Sequence, residues 1–287
     1  MDDRELLKVV MGIVGKDRCL DDCAEIPFGE LVMVATTDML HRTTDFVPGM
    51  TDWQAGWMSA AVTLSDIASM GAAPKYLLIA VGLDDWKCLE GVMKGAKDCC
   101  TKFGAEIIGG DIDRHTELTV VTTGLGLVSR RDIIRRTGAW PGDLVCITGT
   151  PGQAQAWLEG YHQFEKKLFE PQPRVQEGQL LGKAGVSAMM DDSDGIALSL
   201  YDLMSVNELG FSLEAAKLPL PAGIPEQQAR ELALYGGGDY ELIFTVAPDR
   251  FPVPGVSATV IGTVIPEKRV TLDGVPLERR GYQHRWE

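Results

Sequence analysis

The sequence predicts a two-domain α/β protein of the α+β type, on three observations. Helix-like apolar spacing alternates with strand-like alternation along the whole chain, with no repeat or low-complexity tract. At 287 residues and 45% hydrophobic residues, the chain is long enough for one large core or two ordinary ones. A Pro and Gly cluster, Thr137-Gly138-Ala139-Trp140-Pro141-Gly142-Asp143, breaks the pattern at mid-chain just before a new apolar strand. The boundary placed there gives domains 1–137 and 138–287.

In chain order, the periodicity predicts a helix over 3–14, a strand over 31–37, a helix over 52–70, a strand over 76–82, a helix over 88–103, and strands over 105–108 and 117–128. Past the break it predicts a strand over 143–148, a helix over 175–184, a strand over 186–190, helices over 195–209 and 226–235, and strands over 240–246 and 258–264. The 52–70 helix has the clearest signature. Thr51-Asp52-Trp53-Gln54 fits a capping box, and Trp53, Trp57, Ala60, Leu64 and Ile67 follow at spacings of three and four. Ser59, Thr63 and Asp66 form a separate small-polar stripe on it. Gly124-Leu125-Gly126 lies inside a strand pattern and reads as close packing.

The net charge of −14, from 41 acids against 27 Lys and Arg, argues against a nucleic-acid binder and against attachment to an anionic membrane. No apolar run reaches the ~18 residues of a membrane span. The acidic start, Met1-Asp2-Asp3-Arg4-Glu5, is unlike a secretory leader. Cysteines 19, 23, 88, 99, 100 and 146 form no Cys-x-x-Cys and read as reduced thiols, so a cytoplasmic protein is expected. A thiolate metal site at Cys19 and Cys23 is disfavoured, because Asp21 and Asp22 between them suit hard cations.

The acids recur at strand ends or beside Gly, next to Ser, Thr or another acid: Asp21-Asp22, Thr36-Thr37-Asp38, Ser65-Asp66, Gly109-Gly110-Asp111, Asp191-Asp192-Ser193-Asp194-Gly195 and Gly236-Gly237-Gly238-Asp239-Tyr240-Glu241. Carboxylate and hydroxyl oxygens without His or Cys partners are the ligands of Mg²⁺. Taken singly, each setting reads as an ordinary turn or cap before it reads as a catalytic one, and Asp194 ahead of the 195–209 helix reads as an N-cap at least as readily as a ligand. Asp66 is different, since a mid-helix Asp has poor propensity and nothing to cap. Mg²⁺ held by carboxylates commonly meets substrate phosphates, which points to a nucleotide. Yet no P-loop, protein-kinase or dinucleotide fingerprint occurs.

In this order the settings resemble thiamine-monophosphate kinase, of the superfamily that includes aminoimidazole-ribonucleotide synthetase, selenophosphate synthetase and a hydrogenase-maturation protein. The match spans nearly the whole chain. It takes in Asp21-Asp22-Cys23-Ala24, Thr36-Thr37-Asp38-Met39-Leu40, the specific Leu64-Ser65-Asp66-Ile67-Ala68-Ser69-Met70-Gly71, Ile108-Gly109-Gly110-Asp111, Arg136-Thr137-Gly138, Thr148-Gly149-Thr150-Pro151-Gly152, Pro173-Arg174, Asp191 to Gly195, and Asp239-Tyr240-Glu241-Leu242. The resemblance implies an aminoimidazole-ribonucleotide-synthetase-like architecture, with an N-terminal sheet forming a homodimer interface and ATP and Mg²⁺ in the cleft between domains. It implies Asp22, Thr36, Thr37, Asp38, Asp66, Asp111, Asp191 and Asp194 as Mg²⁺ ligands, with Gly110, Asp111, Arg136 and Ser193 at ATP. From the residues alone, Arg136 is equally an exposed member of the basic stretch from Arg130.

The implied reaction moves the γ-phosphoryl of ATP onto thiamine monophosphate. The acceptor oxygen belongs to a phosphate with a second pKa of about 6, so it is largely an anion at neutral pH and needs no side-chain base. Metal assistance is what such a reaction requires. None of the four His, at 41, 115, 162 and 284, sits in an evident catalytic pair. Two departures fall at the expected acceptor end: Asp45 stands where a His is common, and Gly238 where a Glu is common. Asp45 is expected to face the cationic thiazolium in exchange for the lost acid. Tyr282 matches an aromatic beside the thiamine, although a packed tail residue is as good a reading of it. Two rivals stay open: another ATP-dependent synthetase or kinase of the superfamily with a different acceptor, and a non-catalytic nucleotide-binding regulator.

Overall fold

The computed structural model describes residues 2–284. Its first half runs α1 (Asp3–Val14), β1 (Ala24–Phe28), β2 (Leu31–His41), α2 (Asp52–Ser69), β3 (Ala73–Leu83), α3 (Leu89–Phe103), β4 (Glu106–Arg114) and β5 (Thr119–Ser129). The second runs β6 (Leu144–Thr148), α4 (Gln153–Leu158), α5 (Glu165–Phe169), α6 (Val175–Ala184), β7 (Ala188–Asp192), α7 (Ile196–Asn207), β8 (Gly210–Leu213), α8 (Glu226–Tyr235), β9 (Glu241–Val246), β10 (Ala258–Ile265), β11 (Val270–Leu272) and β12 (Val275–Pro276).

Two sheets result: a five-stranded one in the order β1-β2-β5-β3-β4 and a seven-stranded one in the order β12-β11-β8-β10-β6-β9-β7. In the first, only β3 and β4 pair in parallel, and α3 makes the crossover between them. Helix α2 is the hub. Its N-terminus is closed by the expected capping box, Thr51 to Gln54 and back. Nearly every residue from Ala55 onward is buried. It packs on β2 and β5 on one side, on α3 on another, and on α6 and β7 of the second half.

Glycines set the approach distances. A Cβ on Gly95 of α3 would lie 1.8 Å from the Trp53 carbonyl oxygen, and one on Gly56 of α2 1.9 Å from that of Val92. Gly124 and Gly126 of β5 do the same under α2, where a Cβ would meet Thr63 at 2.5 Å and Ile67 at 2.6 Å. The interhelix and helix–sheet contacts are therefore backbone-close, and α2 is fixed rather than free to slide.

All the predicted helices form, with ends shifted by a residue or two. The predicted strands form too, but β2 and β4 run longer than their apolar patterns, to His41 and Arg114. β4 is an edge strand with an exposed face, so its polar second half gives no burial pattern. The periodicity missed β1, β8, β11, β12, α4 and α5. β1 contains Pro27 at the sheet edge, and the others have six residues or fewer, too short for periodicity to register.

Candidate active site

The acids converge where α2 passes between the two sheets. Asp66 projects from α2, Asp38 from β2, Asp191 from the end of β7, and Asp22 from the segment before β1. Ligand atoms of Asp22, Asp66 and Asp191 all lie within 4.8 Å of one another. Each carboxylate has one hydroxyl partner. Thr36 Oγ1 donates to Asp66 Oδ2 at 2.6 Å, Thr63 Oγ1 to Asp38 Oδ2 at 2.6 Å, Ser65 Oγ to Asp191 Oδ2 at 2.8 Å and Ser69 Oγ to Asp22 Oδ2 at 2.5 Å. Three of those hydroxyls come from one helix, α2, and the fourth from the facing strand. Among the described residues, the remaining oxygens of Asp38, Asp66 and Asp191 accept no hydrogen bond from another side chain.

Such packing is electrostatically uphill without a cation. Burial, then repulsion from Asp38, Asp191 and Asp22, holds the Asp66 carboxyl well above the usual range. Burial and then Asp22 push Asp191 up to about 8, and burial raises Asp38. Burial and the same acids hold the Cys23 thiol well above its ordinary value, so it offers no thiolate. A set of hard oxygens, crowded, ionisable and lacking soft ligands, fits a hard dication such as Mg²⁺.

Two guanidinium groups meet the cluster. Arg136 donates from Nε to Asp22 Oδ1 at 2.8 Å and from Nη2 to the same oxygen, and its backbone N–H donates to Asp21 at 2.7 Å. It is thus drawn in among the acids and is not an exposed member of a basic stretch. Arg4 of α1 reaches Asp194. Asp194 does not cap α7, whose N-cap is Gly195 with no side-chain bond. Burial raises its carboxyl, and Arg4 opposes the rise.

Beside the cluster lies a cavity of about 320 Å³ whose lining includes Asp38, Asp66, Asp191, Ser193 and Asp194 together with Asp45, Gly238, Tyr240 and Tyr282. Asp45 Oδ2 accepts from the His41 N–H and the Thr44 hydroxyl, both at 2.7 Å, which fixes its carboxylate in the loop after β2. Gly238 sits at φ +90°, a conformation a Glu would adopt only under strain. Tyr282 stands edge-on to His284 with ring centres 5.2 Å apart, and its N–H donates to the Asp194 carbonyl at 3.0 Å. Tyr240, to which sequence reading gave no role, holds φ +53° and projects into the same cavity, a strained backbone of the kind found at working sites.

Three expected residues lie elsewhere. Along β2 the side chains alternate, so Thr36 and Asp38 face α2 while Thr37 faces the opposite side, donating to the Thr122 carbonyl at 3.1 Å and pairing with Thr123. Asp111 is in register with Ala80, Val121 and Met39 on that same outer face and is exposed. Neither side chain joins the cluster of its own chain. Gly110 lies so close to β3 that a Cβ would fall 1.7 Å from the Ile79 carbonyl oxygen. Asp239 and Glu241 have structural partners: Asp239 accepts the N–H groups of Gly152, Gln153 and Ala154, and Glu241 takes Arg174 and Thr148.

Residues 20–128 match the family described as AIR synthase related protein, N-terminal domain. The chain is 46% identical to a thiamine-monophosphate kinase of Methanospirillum hungatei, over all of both chains. It is 39% identical to one of Halobacterium salinarum, over 99% of this chain and 100% of that one. It superposes on AaThiL complexed with AMPPCP and TMP with a TM-score of 0.90 at 25% identity, covering 99% of this chain and 97% of that one. On that identity and coverage, the chain belongs to the thiamine-monophosphate kinase family.

Proposed function

We propose that the chain transfers the γ-phosphoryl group of ATP to thiamine monophosphate, giving thiamine diphosphate, at the acidic cluster and the cavity beside it. The observation that carries this is their adjacency: Asp38, Asp66, Asp191 and Asp194 line the same cavity as Asp45, Tyr240 and Tyr282. The crowded acids suit cation-bridged phosphates, and Asp45 with the two tyrosine rings suits a cationic, aromatic acceptor.

The chain's own residues prepare the site. Hydroxyls of Thr36, Thr63, Ser65 and Ser69 each tie down one carboxylate oxygen, which orients the other toward the centre. Mg²⁺, when bound, screens the approach of two anions and keeps them in line. Arg136, already among the acids, is placed to exchange Asp22 for a phosphate oxygen, and Ser193, in the cavity lining, belongs to the nucleotide side. Asp45 and Tyr282 face the thiazolium, and Gly238 leaves room where a larger side chain is common. No side-chain base is needed, because the accepting phosphate is already an anion.

The outer face of the first sheet is apolar and exposed, with Ile26, Phe28, Leu31, Met39, Tyr76 and Leu78 in register on it. We assign it to a homodimer, in which Asp111 and Thr37, on that same face, meet the cluster of the other copy. Domains divide at 137/138, in the segment between the last strand of the first sheet and the first of the second. Among the described residues no helix is long and apolar enough to cross a membrane, and we place the enzyme in the cytoplasm.

The test is to incubate purified protein with ATP, Mg²⁺ and a panel of phosphorylated acceptors, scoring ADP and product. Thiamine diphosphate formed from thiamine monophosphate alone is the expected result. ADP release with another acceptor, or nucleotide binding without turnover, would contradict it.

A further inference from the structure

Asp22, Asp38, Asp66 and Asp191 each have a hydroxyl partner, but among the described residues Asp194 has none; its side chain is held by Arg4, from a helix 190 residues away in the chain. Helix α1 buries none of its residues. Arg4 is nevertheless fully engaged. Its Nε lies 3.0 and 3.1 Å from the two Asp202 oxygens, and its Nη2 lies 2.7 Å from Asp202 Oδ2 and 2.9 Å from Asp194 Oδ2. Asp194 stands at the foot of α7 and Asp202 two turns along it. One planar fork therefore spans both carboxylates, a geometry that a lysine cannot reproduce.

We infer that Arg4 is the positioning residue for Asp194, held by Asp202 so that one Asp194 oxygen is pinned and the other is presented to the cation. It rests on the assignment of Asp194 to the Mg²⁺ set. The arrangement is the carboxylate counterpart of a ligating imidazole oriented by an outer carboxylate. Cation binding and the docking of α1 are consequently coupled, each favouring the other, as linkage requires.

The test is Mn²⁺ binding, followed by electron paramagnetic resonance without nucleotide or acceptor, on wild type, R4A, R4K, D202N and D194N. Arg4 is on a helix that supports no core, and D202N retains Arg4 and Asp194 while weakening the fork. Thermal melting without metal checks that each variant is folded. R4A and D202N are expected to weaken Mn²⁺ binding by about tenfold or more, approaching D194N, with R4K between R4A and wild type. Wild-type or tighter binding in R4A, with D194N impaired, overturns the inference alone, tighter binding meaning that Arg4 competes with the ion. Wild-type binding in D194N overturns the assignment of Asp194 to the cation set and the inference with it.

Discussion

At the residue scale, the site is a set of carboxylates kept together against their own repulsion. Asp66 is the sharpest case: an acid in the last turn of α2 that caps nothing and whose carboxyl burial and neighbouring acids hold well above the usual range. Asp66→Asn is expected to lower turnover about 100-fold or more, the loss of several kcal/mol of cation-assisted stabilisation. The same change relieves repulsion, so melting without metal should be unchanged or higher; equal losses of turnover and melting temperature would make Asp66 a structural residue. The pH dependence follows from Asp191, at about 8 in the fold against about 3.9 in an unfolded chain. Between those values the folded state binds more protons than the unfolded one, so this group's contribution to metal-free stability falls as pH rises through that window. Mg²⁺ bound at the proposed site would displace those protons. Its affinity should climb with pH up to about 8 and then level, as calorimetry in buffers of different ionisation enthalpy would record.

The candidate set could be read from sequence because the acidic settings recur six times and because Asp66 lies within a helix it cannot cap, although each strand-end Asp taken singly has a turn or cap as its simpler explanation. Which cluster Thr37 can meet was not legible for a simple reason: adjacent residues of a strand face opposite sides, and a motif written as Thr36-Thr37-Asp38 does not record which side is which. Arg4 and Tyr240 were invisible as site residues. The first acts across 190 positions of sequence, and the second declares itself by a backbone angle.

At the element scale, α2 does most of the positioning. It supplies Asp66 and three of the hydroxyls that orient its neighbours, and it is locked by its cap and by glycine contacts with α3. Thr51→Ala removes the cap and should cost about 1 kcal/mol in a urea titration. Gly95→Ala is expected to be worse, about 1–3 kcal/mol, because its Cβ would fall 1.8 Å from the Trp53 carbonyl oxygen and the two helices must separate. A neutral Gly95→Ala would show that α2 and α3 are not closely packed. The α2 cap and apolar stripe could be read directly from sequence. The short strands β8, β11 and β12 could not, since elements of two to four residues owe their form to the sheet they join and not to their own pattern.

At the scale of the whole molecule, the net charge of −14 acquires a location. Part of the excess is gathered at one cluster between two sheets, where an acidic protein can meet a polyanion through a shared cation. The outer sheet face bears Asp111 away from the cluster of its own chain, and the homodimer proposed above would carry it to the cluster of the other copy. Mixing inactive Asp111→Asn and Asp66→Asn proteins under conditions of subunit exchange should then restore about a quarter of wild-type turnover, since half the dimers are mixed and each has one intact site. No recovery from a mixture shown to exchange would place Asp111 in its own chain's site or outside any site.

The most direct test is the rate of thiamine diphosphate formation from ATP and thiamine monophosphate as Mg²⁺ is raised from zero, with wild type and Asp66→Asn side by side. The account predicts no product without a divalent cation, saturating formation with it in wild type, and a collapsed rate in the variant. Product formed without a cation, or an Asp66→Asn rate equal to wild type, would contradict it.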